Sequence, residues 1–133
     1  MKRSLALVFV AVAATVAANG NAMPSSGGTT AVAVLKAEAT YLNAREWRPY
    51  YALMGPRFRA ECNYKTFVAR NASVRKQITR ATIKMISSRV VGTRAYLTYE
   101  TFAPPVQPFV TKNDLFVKVA ERWYDELDAV TSC

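Results

Sequence analysis

No histidine occurs anywhere in the 133 residues, so any proton-transfer chemistry in this chain falls to its carboxylates and tyrosines. Three acids stand where a buried general base could be placed. Glu38 interrupts an apolar stripe of Ala31, Val34, Leu35, Tyr41 and Leu42 at helical spacing, and Glu100 ends a strand-like run. Asp125 lies two residues after Trp123, which at strand spacing turns it toward the helices. Asp125 is the first candidate for a base and Glu38 the second. A carboxylate so placed also serves as a solvated residue or as the partner of a nearby arginine, so these acids do not by themselves define an active site. The rings of Tyr41, Tyr51, Phe67, Tyr99 and Trp123 are candidates to line an apolar cavity, with a tyrosine hydroxyl donating to a ligand carbonyl; the same rings also serve simply as core.

Other chemistries lack their parts. Two cysteines without histidine supply half of a tetrahedral metal site, so no metal is expected, and no nucleophile elbow, phosphate loop or cofactor-binding motif is present.

The positions of the acids depend on elements that must first reach their compartment. Met1, Lys2 and Arg3 precede an apolar run from Leu5 to Ala18 broken only by Thr15, with small residues at Ala17, Ala18, Gly20 and Ala22. This reads as a cleaved export signal over residues 1–22, with Ala18 an alternative cut. The fourteen-residue run is shorter than the ~20 residues a spanning helix needs, so no transmembrane segment is expected in the mature chain. The destination is periplasmic or extracellular, and the alanine-rich signal suits a bacterium. The match of Asn71, Ala72 and Ser73 to a glycosylation acceptor is therefore expected to stay unused. In an oxidising compartment the pair Cys62 and Cys133 reads as an internal disulfide, with an intermolecular bridge or free thiols as the alternatives.

Eighteen Lys and Arg against nine acids give a net charge of +9, unevenly distributed. Between Arg45 and Arg94 stand twelve bases and two acids, whereas residues 95–133 carry three bases and six acids. Arg70, Arg75, Lys76 and Arg80 would form a basic face for an anionic partner, or simply a solvated surface.

Residues 23–30, rich in Ser, Gly and Thr, read as a flexible leader to a single domain over 31–133. Thr29 or Thr30 caps a helix from Ala31 through Ala44, Pro49 opens a short second helix to about Met54, and Gly55 and Pro56 break the chain. Asn63 caps a third helix through Phe67 and Val68. Ile78–Val91 and Thr93–Phe102 then form a hairpin about Gly92, with Ala95, Leu97 and Tyr99 on a buried face. Pro104, Pro105 and Pro108 read as a connecting loop. Leu115–Val119 and Trp123–Leu127 complete four strands, with Leu115, Val117 and Val119 sharing one face. Helices first and strands afterwards predict an α+β domain with N-terminal helices packed on a curved antiparallel four-stranded sheet.

That order of elements, with the segments YLNAREWRPYYALMGPRFR and DLFVKVAERWYDE, resembles a small exported member of the nuclear-transport-factor-2-like superfamily over Ala31 to Leu127. Glu121 and Arg122 depart from the Asp and Gly that relatives often carry before the Trp. The resemblance implies a bent sheet wrapped around a long helix as a cone, often with a pocket at its open end. With no histidine and no defined acid/base set, the expectation is a non-catalytic binding domain of that fold without cofactor, for a small apolar ligand or an anionic surface. The alternative the resemblance implies is an isomerase or cyclase with a carboxylate base, and a homodimer through the outer sheet face is also in keeping with it.

Overall fold

The computed structural model describes residues 27–133, and the predicted export signal lies outside them. Four helices precede a four-stranded sheet: α1 (Ala31–Ala44), α2 (Trp47–Tyr51), α3 (Pro56–Glu61) and α4 (Tyr64–Gln77), then β1 (Thr82–Val91), β2 (Arg94–Ala103), β3 (Val106–Val119) and β4 (Arg122–Asp125). Both long helices start at side-chain caps that satisfy otherwise orphaned amides. Thr30 accepts from the Ala33 N–H at 3.0 Å, and Asn63 accepts from that of Thr66 at 2.9 Å. Among the described residues no helix is long and apolar enough to cross a membrane.

The strands form an antiparallel meander in the order β1-β2-β3-β4, and three register shifts bend it. One of them decides where chemistry can sit. Leu97 pairs with Asp114 and Tyr99 with Thr111, so Lys112 and Asn113 together oppose Thr98. Asn113 takes a left-handed backbone at φ 54°, a conformation asparagine tolerates better than most residues, and its N–H bonds the Thr98 hydroxyl at 3.1 Å. Thr111 and Asp114 are thereby brought to the same inner face, which strict alternation would forbid. Asp114 and Phe116 are buried while Val119 is exposed, so the inward face of β3 is the one opposite Leu115, Val117 and Val119.

Three elements differ from the sequence-based expectation. The prolines make a tight turn, not a long connection: β3 already begins at Val106 and runs through Pro108. Pro108 is accommodated because Gln107 and Pro108 lie in the register shift opposite Phe102, and β4 pairs only with Phe116–Val119, leaving the other edge of β3 open there. The chain break at Gly55 and Pro56 proves to be the start of α3, whose first amides are bonded by the Glu126 carboxylate, 2.7 Å from the Phe58 N–H and 3.2 Å from that of Arg57. A Cβ at Gly55 would come within 2.6 Å of that carboxylate, which is the reason for glycine there. The described part of the leader is held in place, since Gly28 exchanges two backbone bonds of 2.9 Å with Trp123 and the Gly27 N–H reaches the Ala52 carbonyl.

The core lies between α1, the α2–α4 segment and the inner sheet face, centred on Val34, Leu35, Phe58, Phe67, Leu97, Phe116 and Trp123. Cys62, at the end of α3, is joined by a disulfide to Cys133, so the expected internal bridge is present.

Candidate functional site

One face of α1 supplies Leu35, Glu38, Ala39 and Leu42, spaced at i, i+3, i+4 and i+7, to the wall of a cavity of about 320 Å³. Tyr50, Phe58 and Phe67 close one side from α2, α3 and α4. The inner sheet face adds Tyr99, Phe109, Thr111 and Asp125, and the segment Val130–Ser132 forms the remaining wall. Among the described residues, no Lys or Arg lines the cavity.

Into this space the fold brings both acids singled out from the sequence, Glu38 and Asp125, with their carboxyl groups in hydrogen-bonding contact. A third, Asp114, stands behind them, accepting from the Tyr99 hydroxyl at 2.6 Å. Thr131 links the group: its hydroxyl lies 2.9 Å from Asp114 Oδ1 and 3.1 Å from Asp125 Oδ1. A hydroxyl has one proton to donate. Its proton therefore serves one of the two acids at a time.

Electrostatics agree with that geometry. Loss of solvation on burial, then the charges of Glu38 and Asp114, push the Asp125 carboxyl well above the ordinary carboxylate range. Burial raises Glu38 to about 8, with Asp114 adding to the rise and the hydrogen bond from Asp125 opposing it. Asp114 is raised to about 6 by burial, held there by the hydroxyls of Tyr99 and Thr131. The Tyr50 and Tyr99 hydroxyls are pushed up, first by burial and then by the neighbouring acids, so both remain donors. Burial and mutual charge thus hold both carboxyls toward their neutral forms, and the two titrate as a unit.

Of the five rings proposed as pocket walls, Phe67 and Tyr99 are there; Tyr41, Tyr51 and Trp123 are not among the lining residues. Tyr41 lies one position off the 35/38/39/42 stripe, about 100° around the helix from its neighbour, and packs on the core. Tyr51 is turned to the Cys62 carbonyl, to which its hydroxyl donates at 2.7 Å, while Trp123 is buried in the core. Glu100 pairs across the sheet with Lys84, alternates with the inward Tyr99, and does not line the cavity. Asn71 donates to the Phe67 carbonyl at 2.9 Å and forms part of the cavity wall.

Arg70, Lys76 and Arg80 are exposed, but Arg75 is engaged inside the fold: its guanidinium donates to the carbonyls of Asn43 at 3.2 Å and Ile78 at 2.9 Å. Asn43 in turn exchanges two hydrogen bonds with the Ala81 backbone, so this arginine ties α1 to the start of the sheet.

Asp114, Tyr50 and Thr131 are site residues that sequence reasoning missed. The doublet Tyr50-Tyr51 signalled a ring at this point without showing which of the two faces inward.

No family model matches the chain, and no curated protein matches it. Among solved structures, the chain is similar to the solution structure of a SEC-C motif containing protein from Rhodopseudomonas palustris, with a TM-score of 0.62 over 80% of this chain and 84% of that one, at 13% identity. That similarity is one of fold.

Proposed function

We propose that this protein is an exported small-molecule pocket protein whose Glu38 and Asp125 act as a general base and acid pair in proton transfer. The observation that carries this reading is the contact between the two carboxyl groups on the wall of a 320 Å³ cavity, a volume at the lower end of ligand sites. Their roles are the reverse of the order suggested by sequence. Asp125, the more deeply buried of the two, donates; Glu38, raised to about 8, accepts, in the range where a base is both free and strong enough to act near neutrality. Tyr50 and Tyr99 add two un-ionised phenols beside the pair. The disulfide supports work outside the reducing cytosol. A cavity between a leading helix and a bent sheet is also what membership of the nuclear-transport-factor-2-like superfamily implies, and we include that membership in the proposal.

The test is a reaction that reports a desolvated carboxylate base without requiring the natural substrate. Ring opening of neutral nitrobenzisoxazole serves: the base removes the ring C–H proton, the N–O bond breaks, and a coloured cyanophenolate leaves. The folded protein is expected to exceed acetate in rate per carboxylate, with activity rising as pH increases through 8 and falling at least tenfold in Glu38→Gln. A rate no better than acetate, or one unchanged in that variant, would remove the base from the proposal.

A further inference from the structure

The pocket gathers negative chemistry and offers no positive charge to balance it. Glu38 and Asp125 lie on its wall, Asp114 stands behind them, and neither Lys nor Arg lines it. Over the whole chain cations outnumber acids two to one, so their exclusion from this wall is specific to the site. Buried carboxylates are ordinarily matched by a cation; here protons take that place.

A second observation is independent of the acids' number. Glu38 Oε2 is enclosed and has no hydrogen-bond partner, although it belongs to a residue on the cavity wall. Buried polar atoms are almost always partnered, so this carboxyl, to which Asp125 gives at most one proton, keeps acceptor capacity that the protein does not fill.

The remaining walls suit the same occupant. Tyr50, Phe58, Phe67, Tyr99 and Phe109 place five aromatic rings around the space, and aromatic faces attract organic cations through their quadrupoles, most strongly when water is excluded. The edge-on packing of Tyr50 and Phe58 against Phe67, at 82° and 89°, fixes these rings relative to one another.

From these observations we infer that the cavity binds a small organic ammonium, its N–H group donating to Glu38 and its hydrocarbon part lying among the aromatic rings. This deepens the reading of the pocket as a small-molecule site and rests on it. Binding is an exchange. A protonated amine replaces the proton held by the carboxyl pair, which is released to solvent; a free amine takes that proton directly, giving the same ammonium and carboxylate. Asp125 remains the internal donor to Glu38 in either case. Because protons compete with the ligand, affinity increases with pH across the range in which Glu38 titrates, then declines when the amine itself loses its charge.

Benzylamine and its uncharged isostere benzyl alcohol are the probes, titrated into the oxidised full domain and followed by amide NMR shifts around Tyr50 and Phe67. Benzylamine is expected to bind at least tenfold more tightly than the alcohol at pH 8, to weaken at least tenfold at pH 5, and to lose its advantage in Glu38→Gln. Asp125→Asn, with the native amide spectrum as a check of folding, should weaken the amine by a larger factor than it weakens the alcohol. Equal affinity for the two probes would overturn the cation inference and leave the pocket reading intact. Failure of both probes to bind while the nitrobenzisoxazole reaction persists would do the same; loss of both binding and reaction would overturn the two readings together.

Discussion

Glu38, Asp114 and Asp125 hold their protons to higher pH when folded than they would in an unfolded chain, and this gives stability a definite slope. In the folded state the three bind more protons across the interval from the ordinary carboxylate range to about 8. Their contribution is therefore fully present in acid and is lost as pH rises. The urea midpoint is expected to fall steadily between pH 5 and 8, and Glu38→Gln should flatten that fall by removing one of the three groups. A midpoint that rises over the same range would mean these acids are ionised and paired after all. At this scale the sequence was partly readable. Glu38 stood out as a charge inside an apolar stripe, and Asp125 by alternation from Trp123. Asp114 could not be found in this way, because its inward direction relative to Thr111 depends on the one extra residue where Lys112 and Asn113 together oppose Thr98, and Thr131 comes near the acids only through tertiary structure.

Among the elements, helices were more legible than their connections. Thr30 and Asn63 announced both long helices by cap chemistry, which is local. The prolines misled because their meaning in a sheet depends on which edge is free, a property of strand order and not of neighbouring sequence. The turn between β3 and β4 carries a second lesson. Ala120 and Glu121 both adopt positive φ, 49° and 66°, where a two-residue hairpin favours Asn and Gly. Glu121, noted before Trp123, therefore forms with Ala120 a tight turn maintained at the expense of backbone strain, about 1–2 kcal/mol for a side-chain-bearing residue in this region, while Arg122 opens β4. Glu121→Gly should raise stability by about 0.5–1 kcal/mol, read as a higher thermal midpoint. The ion pair it removes, Lys118 to Glu121 at 3.3 Å, is too exposed to offset this, since Glu121 is 90% accessible. An unchanged or lower midpoint would show that the turn is already relaxed.

Across the whole molecule, the disulfide joins residues separated by 71 positions, so it restricts the unfolded chain strongly. The paired change Cys62→Ser and Cys133→Ser is expected to lower stability by about 4 kcal/mol in the loop-entropy model, measured by chemical denaturation. Loss of less than about 1 kcal/mol would show that the bridge restrains a chain already restricted by other contacts. Its second effect is local. The bridge fixes the segment that carries Thr131, aided by Asp128, whose carboxylate accepts from the backbone of Leu115, Val130 and Thr131 at 2.6–2.8 Å.

The bridge and Asp128 therefore anchor the same chain end from two sides, and with it the hydroxyl between Asp114 and Asp125 and the cavity wall at Val130–Ser132. A reductant is thus expected to loosen the cleft while leaving the sheet paired, so the cavity's integrity answers to redox conditions as well as to folding.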